Sequence, residues 1–108
     1  MTNLLHAHCQ RAVEAMSEAD VRHHVEQLSG WQVADGALEK TFAFRDYHET
    51  IAFVNALAWV AHTEDHHPDL RVGYDRCVVR YRTHSARGLT RNDFICATKA
   101  DALVSFVA

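Results

Sequence analysis

The chain contains a single proline, Pro68, and it follows two histidines at the end of a long apolar-periodic stretch. Proline disfavours the helical conformation of the residue before it, so a helix must stop at or before His66 and His67. Upstream, Ile51, Val54, Ala58 and Ala61 recur at helical spacing, widened by Leu57 and flanked by Phe53 and Trp59. Asp46, with Glu49 three residues on, supplies the capping signal, and the pattern predicts a helix from about Tyr47 to about Glu64 lying across a sheet. His66 and His67 then sit at a helix C-terminus, where the macrodipole favours positive charge by up to about 1 kcal/mol. Glu64 and Asp65 act in the same direction as tuning charges. At least one of the two imidazoles is therefore suited to act as an acid near neutral pH.

Other punctuation frames this helix. Ser17-Glu18-Ala19-Asp20 is close to a capping box, followed by Val21, Val25 and Leu28 on one helical stripe, with Gly30 as the expected C′ residue. His23-His24 reads as a surface pair. Trp31 to Ala34 and Ala37 to Phe44 read as strands joined at Asp35-Gly36, where both turn positions tolerate positive φ. Leu38, Phe42 and Phe44 share a face, with Lys40 interrupting the alternation. A second strand pair, Leu70 to Val72 and Cys77 to Thr83, turns around residues 73–76; Cys77, Val79, Tyr81 and Thr83 share one face and Arg80 and Arg82 the other. Thr90-Arg91-Asn92-Asp93 again has capping-box spacing and opens a last helix to about Phe106, with Ile95, Ala102 and Phe106 inward. The order α-β-β-α-β-β-α predicts a two-layer α+β domain, an antiparallel sheet with helices on one face. That domain is expected in residues 17–108, after an N-terminal extension, residues 1–16, that is flexible or a short helix. His6, His8 and Cys9 within the extension are weak metal-ligand candidates.

Composition narrows the function classes. A chain of 108 residues has room for one modest core. Three cysteines cannot close a disulfide framework, and there is neither a signal-like run nor a membrane-spanning stretch, so a reduced cytoplasmic protein is expected. The net charge of −3 makes a poor nucleic-acid binder, although residues 71–108 are locally basic through Arg71, Arg76, Arg80, Arg82, Arg87 and Arg91. That patch reads first as a solvated strand face and loop, and second as a seat for an anionic ligand or another subunit.

Four polar groups stand at element ends: His66 and His67 after the second helix, His84 at a strand end, and Asp93 in the first turn of the last helix. Each alone has an ordinary structural reading, and for Asp93 it is that of N3 partner to Thr90. Together they can converge on one cleft. Two chemistries suit them. His62 and His66 have the i, i+4 spacing of metal ligands, with His67, His84 or Asp93 to complete a site, but no HExxH or cysteine pair supports it. The alternative is metal-free acid–base catalysis by imidazoles.

His66-His67-Pro68, Tyr74 after five residues, Thr83-His84 after eight more, then Gly88-Leu89-Thr90 and Asp93, resembles the signature of the pterin-4a-carbinolamine dehydratases, also known as dimerisation cofactors. The likeness extends back through Phe42-Ala43-Phe44-Arg45-Asp46-Tyr47 to Gly30-Trp31, and covers roughly Leu28 to Asp101. Thr83-His84-Ser85 and Arg91-Asn92-Asp93-Phe94 are most similar to bacterial members, while His62 stands where many members have an acidic residue. The resemblance implies a hydro-lyase that dehydrates 4a-hydroxytetrahydropterin to quinonoid dihydropterin after aromatic amino acid hydroxylation, without cofactor or metal. It implies His66 and His84 as the acid/base residues and His67 as a positioning residue. Asp93 would orient His84 or touch the ligand ring, and Pro68 would set the exit angle of the histidine pair. His62, Asp65 and Thr83 are further orienting or substrate-contacting candidates. It also implies a homodimer or homotetramer and a functional link to an aromatic amino acid hydroxylase. A binding module, in which the fold serves as an interaction surface, is the competing class.

Overall fold

The computed structural model describes residues 4–107, and side chains for residues 4–104. Two hairpins build the sheet: β1 (Gln32–Ala34) with β2 (Ala37–Ala43), and β3 (Asp69–Val72) with β4 (Arg76–Tyr81). All pairs are antiparallel, in the order β1-β2-β4-β3. Asp35 and Gly36 both take positive φ, 50° and 76°, the conformation that a two-residue hairpin requires. The register Leu38↔Tyr81, Lys40↔Val79, Phe42↔Cys77 aligns the apolar residues of the two central strands on one face. Lys40 interrupts that face because it is neutralised at its rim. Its ammonium donates to the Asp101 carboxylate at 2.8 Å and the Ser29 carbonyl at 2.9 Å, and lies 4.9 Å from the Phe42 ring centre.

Three helices cover this face: α1 (Glu18–Glu26), α2 (Tyr47–Glu64) and α3 (Arg91–Val107). The two-layer α+β architecture is the one expected. Ser17 caps α1 by accepting the Asp20 amide, but α1 ends at Glu26, four residues before Gly30. There the amides of Gln27 and Leu28 bond three residues back, to His24 and Val25, tightening the last turn while Leu28 still packs on the core. Gly30, at φ 83°, turns the chain into Trp31.

The buried stripe of α2 differs from the expected one. Thr50, Phe53, Leu57, Ala61 and Glu64 face inward, whereas Ala58 is exposed and Trp59 is 68% exposed. Two contacts set the rotation. Phe53 packs against Phe42 and Phe44, and the Thr50 hydroxyl lies 2.9 Å from both the Asp46 and the Tyr74 carbonyls, tying the helix start to the β3–β4 turn. In α3 the buried apolar set among the described residues is Phe94, Ile95, Cys96, Ala97 and Ala100. Ala102 is half-buried, and the side chain of Phe106 lies outside the described residues. Strand β4 ends at Tyr81, before Thr83, which instead forms a bridge with Gly88 around a 3-10 turn at His84–Ala86.

Residues 4–16 run along the domain. Leu4 is buried, the Lys99 ammonium donates to the Leu5 carbonyl at 2.7 Å, and the Met16 amide donates to the Leu89 carbonyl at 2.8 Å.

The end of α2 is a Schellman motif. The His66 amide bonds the Ala61 carbonyl (3.2 Å), the Asp65 amide bonds the His62 carbonyl (3.3 Å), and Asp65 between them is left-handed at φ 51°. This reversal, as well as Pro68, stops the helix and swings His66 off its axis. A β-branched residue at position 65 would meet the left-handed penalty of about 1–2 kcal/mol, which glycine escapes. Asp65→Val is therefore expected to lower unfolding stability by about 1 kcal/mol or more, and Asp65→Gly to stay within about 0.5 kcal/mol of the parent, in urea titrations.

Candidate active site

The reversal at Asp65 delivers the His66 ring to the first turn of α3. Nε2 of His66 lies 2.7 Å from Oδ1 of Asp93, whose side chain is fully buried, and the His66 side chain is only 12% exposed. The other Asp93 oxygen accepts the Thr83 hydroxyl and the Thr90 backbone amide, both at 2.9 Å. Asp93 is thus the capping-box carboxylate of α3 and the partner of His66 at once.

The hydrogen-bond directions follow from donor counting. An ionised carboxylate only accepts, so Nε2 of His66 carries the proton that it shares with Asp93. Thr83, having donated to Asp93, accepts from the Thr90 hydroxyl at 2.7 Å, and the Thr90 oxygen accepts the Asn92 amide at 3.2 Å. This ordered chain leaves Nδ1 of His66 as the ring nitrogen free for proton transfer. The ring lies parallel to Tyr81, with centroids 5.9 Å apart and planes 8° apart. The Tyr81 hydroxyl is buried and has no hydrogen-bond partner among the described residues. Burial first, then the neighbouring Cys96, Cys9 and Asp93, push its phenol far up, so it stays protonated.

His66 and Thr83 open onto a pocket of about 370 Å³, lined also by Glu64, Asp65, Ser85 and Asn92 and, from the N-terminal segment, Cys9, Gln10 and Arg11. The structure therefore brings together His66, Asp65, Thr83 and, behind them, Asp93. His84 begins the exposed 3-10 turn directly after Thr83. Asp93, expected to orient His84 or touch the ligand ring, spends its oxygens on His66, Thr83 and Thr90. His67 is exposed and lines a separate depression of about 190 Å³ with Pro68, Leu57, Ala58, Ala61 and Leu70. His62 is exposed and packs against Trp59 with ring centres 5.8 Å apart; because α2 ends between them, His62 and His66 do not share a helical face. Among the described residues no three His, Cys, Asp or Glu side chains cluster as metal ligands.

Sequence reasoning missed Glu64 and Asn92 as structural polar groups. Glu64 turns inward and accepts the Cys9 amide at 2.8 Å, with the His8 ring at 2.9 Å and the Lys99 ammonium at 3.7 Å. Burial pushes its carboxyl up, but these partners outweigh burial and hold it below the usual carboxylate range. Nothing in Glu64-Asp65 distinguishes an inward from an outward carboxylate without knowing what covers the helix end.

Residues 14–103 match the family model for pterin 4 alpha carbinolamine dehydratase. Proteins carrying the name pterin-4-alpha-carbinolamine dehydratase are similar: 57% identity in Stenotrophomonas maltophilia, over 82% of this chain and 78% of that protein, and 51% in Xanthomonas campestris, over 95% and 94%. Among solved structures, a transcriptional coactivator/pterin dehydratase from Brucella melitensis aligns with a TM-score of 0.81 at 32% identity, over 83% of this chain and 98% of that one. A pterin dehydratase-like RuBisCO assembly factor of the alpha-carboxysome aligns at 0.57 and 27% identity, over 68% and 84%.

Two outcomes test the site's physical basis. Removing a buried hydroxyl that has no partner costs nothing, so Tyr81→Phe is expected to keep or raise the melting midpoint; a fall of several degrees would mean that the hydroxyl is bonded in solution. For Glu64, a folded pKa below the ordinary 4.5 means that its stabilisation is complete above that pH and lost as the pH falls through the folded value. Stability of the parent should therefore fall more steeply below pH 4.5 than that of Glu64→Gln, measured by denaturant titration at each pH.

Proposed function

Because this chain belongs to the pterin 4 alpha carbinolamine dehydratase family, we propose that it dehydrates 4a-hydroxytetrahydropterin by histidine acid–base catalysis. The reaction removes hydroxide from C4a and a proton from N5, giving the C4a=N5 bond of quinonoid dihydropterin and one water. Hydroxide leaves poorly, so protonation at the departing oxygen matters, and N5 needs a base; each positioned group is typically worth about 10²–10⁴ in rate. The observation that carries the reading is the His66–Asp93 bond. It assigns the Nε2 proton to the bond with Asp93, leaves Nδ1 as the ring nitrogen that can exchange a proton in a residue that lines the pocket, and supports an imidazolium should Nδ1 take up a proton. His84, in the turn after Thr83, is assigned as the opposing proton carrier, and His67 with Pro68 as substrate-positioning residues. Asp65 and Thr83 serve as orienting groups beside His66, and His62 as a peripheral one.

In this reading the protein is a cytoplasmic homo-oligomer, a dimer or tetramer, recycling pterin for an aromatic amino acid hydroxylase. The edge strand β3, with Leu70 and Val72 about 40% exposed, and the exposed Trp59 support self-association.

Freshly generated 4a-hydroxytetrahydropterin, followed by its ultraviolet change, tests the proposal. The protein is expected to accelerate dehydration, with or without chelator. His66→Ala and His84→Ala should each lower turnover at least about tenfold with the melting transition retained. No acceleration by the parent would favour the binding-module class, and full activity in a folded His84→Ala would remove that residue from the mechanism.

A further inference from the structure

The segment His8–Arg11 lies outside the region matched by the family model, yet Cys9, Gln10 and Arg11 form one wall of the His66 pocket. Two buried polar side chains hold it there. Asn92 reads the Gln10 backbone from both sides: its Oδ1 accepts the Gln10 amide at 2.9 Å and its Nδ2 donates to the Gln10 carbonyl at 2.8 Å. Glu64 accepts the Cys9 amide and bonds the His8 ring. The Cys9 sulfur adds weaker contacts, 3.6 Å from the Cys96 sulfur and 3.7 Å from the Asn92 carbonyl. Asn92 and Glu64 are neither surface accidents nor core residues; they are 5% and 8% exposed, and apart from the Lys99 ammonium 3.7 Å from Glu64 their side-chain partners are in this segment.

Position along the chain gives these ties their meaning. Glu64 precedes Asp65-His66, and Asn92 precedes Asp93, so each anchor stands beside one partner of the His66–Asp93 bond. The segment thus straps the C-terminus of α2 to the N-terminus of α3, the two ends that must stay in register for a 2.7 Å contact. It also lines the pocket onto which His66 opens. A charge-assisted bond is strong only while water is kept from its partners.

We infer that the strap His8–Arg11 is a working wall of the site, and that Asn92 and Glu64 are positioning residues that act through it to keep the His66–Asp93 pair dry and aligned. Loosening the strap should lower turnover more than substrate affinity, because the pocket's remaining walls are unchanged while the proton carrier loses its fixed tautomer.

The test uses the 108-residue chain with Asn92→Ala, which removes both ties to Gln10 and leaves the Asn92 backbone bond to Thr90. The first readout is solvent exchange of the His66 Nε2 proton, observed by NMR as the downfield ring proton bonded to Asp93. It is expected to exchange at least about tenfold faster in the variant, with the melting transition retained. The second is steady-state dehydration, where kcat should fall about fivefold or more while KM stays within about twofold. Unchanged ring-proton exchange in the folded variant would overturn the inference, and faster exchange with unchanged kcat would overturn its catalytic part. The kcat readout rests on the dehydratase reading, whereas the exchange readout does not; a parent protein without dehydratase activity would defeat that reading and leave the shielding role to be decided by exchange alone. Should Asn92→Ala fail to fold, Glu64→Met, which keeps an unbranched side chain of similar length but removes the acceptors for the Cys9 amide and the His8 ring, takes its place with the same expected acceleration and the same overturning result.

Discussion

One carboxylate ties together the ends of three elements. A buried Asp93 would be costly unless its charge met several donors, and it meets three: the His66 ring, the Thr83 hydroxyl and the Thr90 amide. The Thr90 bond starts α3, the Thr83 bond holds the segment after β4, and the His66 bond holds the end of α2. The helix dipole of α3 favours a negative charge at the same place. The energy that makes the burial of Asp93 tolerable is the energy that fixes the tautomer of His66.

The reversal at Asp65 is the geometric complement. A helix that continued one more residue would carry His66 around its axis and away from α3. The Schellman bonds end it at Glu64, two residues before Pro68 alone would demand, and a left-handed Asp65 aims the following ring sideways. Proline then makes continuation impossible without itself setting the direction of His66. The same short stretch separates the two histidines: His66 goes to the Asp93 side and His67 to the depression beside Pro68 and Leu70.

Much of this was legible from local patterns. Asp35-Gly36, Ser17, Asp46 and Thr90 announce a turn and three helix starts through chemistry that involves only a few neighbouring residues, and the structure realises each of them. The alternation through Cys77, Val79 and Tyr81 identifies the core face of β4. Amphipathic phase was less legible. In α2 several apolar residues compete for the inward face, and Phe53 and Thr50 win because Phe42, Phe44 and the Tyr74 carbonyl are already positioned opposite them. The end of α1 is set by tertiary context for a similar reason, since a tightened turn can replace a glycine cap.

By itself the sequence determined the elements, the antiparallel α+β order, the family resemblance and the concentration of histidines at element ends, because these depend on short-range backbone preferences and on spacing. Tertiary structure alone decided which polar groups meet. That Asp93 bonds His66, that Glu64 turns inward, and that residues 8–11 wall the pocket all depend on bringing together positions 27 to 82 residues apart. No local pattern encodes such a pairing. A buried carboxylate takes whichever donors the packed helices and strands present, so its partners are settled by the way the elements dock and only then by the residues themselves.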